Sequence, residues 1–204
     1  MTITNGYCTQ AELKAWQIAN GTWTSAEDDL LDAAVNTASR AIDKVCGRRF
    51  YLDASATAKV YRPDSPTFAW VDDIGSTSGL VIKTDTSGDG TFATTWLSTD
   101  YELEPANTEG SWAVWRIRAV DNKSFVTMAR RSSLQVTAKW GWSSVPDEIA
   151  TACKALAARL DFARRNPAGV ASFGEFGAIR IARTDPVVAS LLEPFHKLSA
   201  QAVG

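Results

Sequence analysis

Leu134-Gln-Val-Thr-Ala-Lys-Trp-Gly-Trp-Ser-Ser-Val-Pro-Asp-Glu-Ile149 is the stretch in which the chain changes its period. Up to Trp140, apolar Leu134, Val136, Ala138 and Trp140 alternate with Gln135, Thr137 and Lys139. Successive side chains of a strand point to opposite faces, so this spacing predicts a strand with one face on a core. Beyond Pro146 the apolar spacing turns helical, with Ile149, Cys153, Leu156, Leu160 and Ala163 forming one stripe. Pro146 suits a first helical turn, where its missing N–H costs nothing, and Arg159, Arg164 and Arg165 complement the carbonyl end of the helix dipole.

Working back from there, period two recurs in short pieces at Ala58 to Tyr61, Leu80 to Lys83, Phe92 to Trp96 and Trp115 to Ala119. These predict a small antiparallel sheet or barrel over residues 57–142. The Ser-Gly and Asp-Gly pairs of Thr84-Asp-Thr-Ser-Gly-Asp-Gly-Thr91 supply the positive backbone angles of a hairpin turn. Nearer the start, Thr9-Gln-Ala-Glu12 and Thr24-Ser-Ala-Glu27 are capping boxes, in which hydroxyl and carboxylate satisfy orphan backbone N–H groups. The first predicts a short helix ending near Asn20-Gly21. The second predicts a helix over residues 25–46 with Leu31, Val35, Ala38, Ile42 and Val45 on its buried face and Gly47 as the left-handed cap. The fold class expected is α+β: a helical bundle built from both chain ends, residues 1–56 and 143–204, with an antiparallel β insertion, residues 57–142, between the long helices.

The segment after Arg165 reads differently. Gly169, Gly174 and Gly177 loosen the backbone while Val170, Phe173, Phe176, Ile179 and Ile181 still need apolar partners. Residues 166–184 are therefore expected to be a docking strap shaped by another surface. Phe173, Phe176, Ile179, Arg180, Ile181 and Arg183, with Phe195, are the candidate contacts to a neighbouring subunit or partner. A last helix is expected from Asp185-Pro186, carrying Val188, Leu191 and Leu192 and broken at Pro194.

Composition narrows the chemistry. With 204 residues, 45% of them hydrophobic, the chain can build an ordinary core. No apolar run approaches the ~20 residues needed to cross a bilayer, and the first residues lack a basic region followed by an apolar core, so synthesis and assembly in a cytoplasm are expected. Cys8, Cys46 and Cys153 are too few and too scattered for a disulfide framework or a zinc site, which predicts buried reduced thiols. His196 is the one histidine, which removes histidine-based triads and most zinc enzymes. Adjacent acids such as Asp72-Asp73 point in different directions, and only a carboxylate such as Asp161 or Asp121 could volunteer as a base. No enzyme activity, cofactor or metal is expected.

Asp85-x-Ser87-x-Asp89-Gly90 copies the front half of a calcium loop, but Trp96 stands where the twelfth, bidentate ligand belongs, which favours a plain turn. No phosphate-binding loop occurs. Eight tryptophans could form stacking platforms for sugars, as in a carbohydrate-binding module, but Trp140 and Trp142 are in phase with Leu134 and Val136 and read as core. The net charge of −2 conceals two ends: residues 1–110 hold 16 acidic and 8 basic residues, residues 111–204 hold 7 and 13. Such a dipolar chain suits contacts in which the acidic part of one copy meets the basic part of the next.

The chain resembles the head-to-tail connector, or adaptor, proteins of long-tailed phages, in particular those of actinobacteria. The resemblance rests on Tyr7-Cys-Thr-Gln-Ala-Glu-Leu13, on Ala38-Ser-Arg-Ala-Ile-Asp43 with Cys46-Gly-Arg-Arg-Phe-Tyr51, and on Asp73-Ile-Gly-Ser-Thr-Ser-Gly-Leu80. Asp89 to Trp96, Lys139-Trp-Gly-Trp142 with Val145-Pro146, and Gly174 to Ile181 followed by Asp185-Pro186 extend it. It implies a structural virion protein of the head–tail neck: a homo-oligomeric, usually dodecameric ring beneath the portal that receives stopper or tail proteins on its other side. Double-stranded DNA would pass through the channel without sequence-specific binding. A stopper or tail-completion protein of the same neck is the neighbouring alternative.

Overall fold

The computed structural model describes residues 2–17, 23–63, 65–106, 112–127, 131–165, 171–172, 178–179 and 185–197. The chain forms two units, Arg49–Ser144 and the pairing of Met1–Arg48 with Val145–Gly204.

In the first of these, six strands form one antiparallel sheet: β1 (Thr57–Tyr61), β2 (Phe68–Thr84), β3 (Thr94–Thr95), β4 (Tyr101–Glu104), β5 (Val114–Ala119) and β6 (Leu134–Trp140). Their order is β1-β6-β2-β5-β4, with β3 pairing the end of β2. β2 is the axis, because its first half pairs with β5 and its second half with β6. Register shifts between Trp70 and Ile74 and on either side of Ser76 bend β2, so each half meets its own neighbour. The alternation of β6 is realised along its whole length: Leu134, Val136, Ala138 and Trp140 are buried, and the Trp140 indole N–H donates to the Thr57 carbonyl at 2.8 Å. Ile82, Ile117 and Val71 join that core, and Trp96 stacks on Phe125 with ring centroids 4.7 Å apart. Burying Trp140 and Trp142 places both in packing, as their phase in the sequence requires.

Gly141 lets β6 end where it does. Its φ is +104°, and a Cβ there would lie 1.8 Å from the Tyr51 carbonyl oxygen. Its N–H donates to the Asp73 carbonyl at 2.7 Å, and the Trp142 indole donates to the buried Asp73 carboxylate at 3.0 Å.

The other unit holds α1 (Gln10–Trp16), α2 (Ser25–Cys46), α3 (Asp147–Arg165), α4 (Pro186–Leu192) and a 3-10 turn, Glu193–Phe195. Both capping boxes form, with Thr9 and Thr24 exchanging bonds with Glu12 and Glu27, and Gly47 closes α2 at φ 65°. Asp185 caps α4 by accepting from the Val187 N–H at 2.9 Å. α3 packs against each of the other three helices.

The expectation of a helical bundle built from both chain ends is corrected here. Among the described residues there are four helices, and α1 and α4 have only seven residues each, too short to supply the long parallel stripes by which bundle helices interlock. The protein is instead a mixed α/β chain with a six-stranded antiparallel sheet. The expected stripes hold for Leu31, Val35, Ala38 and Ile42 of α2 and for Ile149 and Cys153 of α3, and shift toward the end of each helix. On α2, Cys46 is buried and Val45 is 53% exposed; on α3 the buried stripe is Ile149, Ala152, Cys153, Ala157 and Asp161, leaving Leu160 41% exposed.

A Gly141→Ala substitution should destabilise the protein by at least about 2–3 kcal/mol, since both a positive φ and a backbone oxygen oppose a Cβ. Gly79→Ala, at φ +78° but with its nearest neighbour 3.6 Å away, should cost only about 1 kcal/mol. Urea unfolding of the two variants measures the difference.

Candidate assembly surface

The C-terminal candidates divide. Phe195 is buried in its own unit, as are Val188 and Leu192, and Lys197 N–H donates to the Cys46 carbonyl at 2.8 Å, which ties the residues after α4 to the end of α2. Ile179 lies in a two-residue strand, β8 (Ala178–Ile179), that pairs antiparallel with β7 (Ala171–Ser172), Ala171 facing Ile179. Phe173, Phe176, Arg180, Ile181 and Arg183 lie outside the described residues, as does most of the segment expected to be a strap.

A surface feature that sequence reasoning missed is a cleft of about 480 Å³ between the end of α1 and the second half of α3. Trp16, Trp23, Ala155, Ala158 and Phe162 line it, with Gln17, Arg159, Asp161 and Arg165. Trp16 is 51% exposed, and Lys154 lies 5.4 Å above its ring. The Arg165 guanidinium stands 4.4 Å over Trp23 and reaches Asp161 and Glu27, both at 3.0 Å. Arg164 takes the other Asp161 oxygen at 2.8 Å, and Arg159 pairs with Asp185 at 2.5 Å. Gln17 donates to the Ala158 carbonyl at 3.4 Å, and its own side-chain oxygen is buried without a partner among the described residues. The signal in the sequence was Asp161 with Arg164 and Arg165 at i+3 and i+4, a spacing that brings the three side chains together on one helix.

This arrangement holds charge rather than moving protons. Both oxygens of Asp161 are occupied by guanidinium groups, so it offers no free carboxylate to a substrate. Asp121, the other carboxylate considered, is a turn residue at φ 54°. Among the described residues no group of three or more His, Cys, Asp or Glu converges to hold a metal.

The Asp85 loop is filled by its own backbone. One carboxylate oxygen accepts from the N–H groups of Ser87 at 3.1 Å and Gly88 at 2.7 Å and from the Ser87 hydroxyl; the other accepts from Gly90 N–H at 2.8 Å. Burial would raise the Asp85 carboxyl, but the bonds from Gly90, Gly88 and Ser87 outweigh it and hold the group below the usual carboxylate range. Both oxygens thus serve the turn.

No protein-family model matches the chain, and no curated protein matches it. Among solved structures, a chain from the neck of an empty gene transfer agent (GTA) particle, computed with C6 symmetry, superposes with a TM-score of 0.59. It is 16% identical and covers 98% of this chain and 94% of its own. A chain from the virion of the native GTA particle has a TM-score of 0.55, with the same identity and coverage. The fold is that of neck and virion chains of gene transfer agent particles. The likeness runs over nearly the whole length of both chains, so residues of both units are included. Among the described residues no helix is long and apolar enough to cross a membrane.

Because the Asp85 carboxyl is held low in the folded state, its contribution to stability is present above the unfolded value of about 3.9 and is lost as pH falls through the folded value. Asp85→Asn should therefore melt lower than wild type at pH 7 and close the gap as the pH falls below about 4. Thermal melts across that range measure it, and wild-type melts with calcium and with chelator should superimpose.

Proposed function

We propose that this chain is a structural component of the neck of a phage-like particle, an adaptor ring between the portal and the stopper or tail proteins. The observation that carries the reading is the end-to-end fold likeness to a chain of a GTA neck, where almost nothing of either chain is left over. That neck was computed with C6 symmetry, which supports a ring of copies. The reading assigns no catalytic residue, cofactor or metal to the chain, in keeping with an Asp161 tied to two arginines and an Asp85 tied to its own loop.

The adaptor position, a dodecameric copy number and passage of double-stranded DNA through the channel follow from the sequence resemblance to connector proteins. A stopper would share the neck but touch the portal only through another protein. A carbohydrate-binding module is disfavoured by the burial of Trp140 and Trp142, which withdraws two rings from any sugar platform. In this reading the protein acts by shape and surface, and its place is the neck of a particle assembled in the host cytoplasm.

Electron microscopy of the purified chain mixed with the portal protein of the same particle tests the proposal. Class averages should show a ring coaxial with the portal. A chain that joins portals only when a second neck protein is added is a stopper, and one that joins neither is no neck protein. Because the acidic and basic parts of neighbouring copies would attract, ring formation should weaken as salt rises and screening shortens to about 8 Å at physiological ionic strength. Sedimentation at low and high salt reads this directly.

A further inference from the structure

Two of the three cysteines meet. The sulphurs of Cys8 and Cys153 lie 3.5 Å apart, the Cys8 thiol donating to Cys153, although 145 positions separate them in the chain. Both are buried and both are free thiols. Cys153 sits in the middle of α3, with the Ser39 hydroxyl at 3.4 Å, whereas Cys8 belongs to the irregular segment before the cap residue Thr9. We propose that Cys8 and Cys153 are a latent disulfide, formed in the folded protein by a two-electron oxidant such as hydrogen peroxide, that fastens the N-terminal segment to α3.

The geometry needs little change. A disulfide requires the sulphurs to close by about 1.5 Å, to roughly 2.05 Å. Cys8 can supply this movement because no helical hydrogen bonds hold its backbone, so α3 stays wound. The neighbouring residues already keep the segment in place on α2. Thr4 N–H donates to the Asn36 side chain and Tyr7 N–H to the Ser39 hydroxyl, each at 3.0 Å, and the Tyr7 hydroxyl bonds to Asp43. The sulphurs are therefore held in register in the reduced protein.

The electronic arrangement assigns the order of steps. The hydrogen bond from Cys8 draws the Cys153 thiol down to about 7, against the effect of burial and with help from Ser39; as the donor, Cys8 is pushed up. The Cys153 thiolate attacks a peroxide oxygen, the O–O bond breaks, and a sulfenic acid forms while hydroxide departs and takes up a proton. Cys8 then loses its proton and attacks the sulfenyl sulphur. The S–S bond forms, and the second hydroxide leaves as water. Two thiols give up two electrons and two protons, and one peroxide becomes two waters.

Cys46 is the internal control. It is buried, burial pushes its thiol up to about 11, and among the described residues no other cysteine is bonded to its sulphur. A chain made under reducing conditions would fold with all three thiols free and become covalently closed when it meets an oxidant. The closed loop is long, so the bridge removes much freedom from the unfolded chain.

The test treats the folded full-length protein with hydrogen peroxide, then denatures it, alkylates the remaining thiols and maps the peptides. Accessible thiols should fall from three to one, the remaining one should be Cys46, and the peptides carrying Cys8 and Cys153 should be found linked. The melting temperature should rise by about 5–10 °C and return after dithiothreitol. Cys46→Ser should behave as wild type; in Cys8→Ser, no linked peptide should form and Cys153 should progress to sulfinic acid. Three alkylatable thiols after treatment, or a link that involves Cys46, would overturn the proposal whether or not the variants fold.

Discussion

The β unit depends on one close crossing of backbones. At Gly141 the end of β6 passes the Tyr51 carbonyl so tightly that no side chain fits, and this closeness brings together three parts of the chain distant in sequence. Asp53 N–H reaches the Trp140 carbonyl at 2.8 Å, Gly141 N–H reaches Asp73, and the Trp142 indole lands on the Asp73 carboxylate. A buried carboxylate is costly unless its oxygens are bonded, so Asp73 holds Trp142 as firmly as Trp142 holds Asp73. Phe50, with its ring centroid 5.0 Å from that of Trp142, is fixed by the same contact. The point where the polypeptide leaves the sheet is thus set by a glycine, an acid and an indole.

The helical unit solves a related problem with charge. Asp161 takes a place in the buried stripe of α3 where Leu160 would be expected, and it is tolerated there because Arg164 and Arg165 occupy both of its oxygens. The consequence is an exposed Leu160 and a half-open row of aromatic rings beside it. Apolar surface is left facing outward by the same choice that neutralises the acid. A stable unit can carry exposed hydrophobic area in this way.

A fold can persist at low sequence identity. At 16% identity the GTA neck chain shares few side chains with this one, yet both cover nearly all of each other. What must be kept for that is periodicity, bulge positions and helix ends, each of which many residues can satisfy.

The local elements were legible in the sequence wherever the signal was local. The capping boxes at Thr9 and Thr24, Gly47 as a left-handed cap, Asp185 before Pro186, the turn at Asp85 and the alternation of β6 are set by bonds within a few residues. The long strand β2 was visible only at Leu80 to Lys83, because its bulges near Ile74 and Ser76 break the period of two, and β4 was too short to register at all. The helices were legible but not their arrangement as a bundle, since an apolar residue every third or fourth position says that a helix can form but not how many others it will meet. Where each stripe ends belonged to the tertiary structure: Leu31, Val35, Ala38 and Ile42 are buried as the period requires, but the neighbouring elements cover Cys46 instead of Val45 on α2 and Asp161 instead of Leu160 on α3. The meeting of Cys8 with Cys153 across 145 residues was likewise invisible, because proximity at that separation is made by packing and by nothing in the chain between.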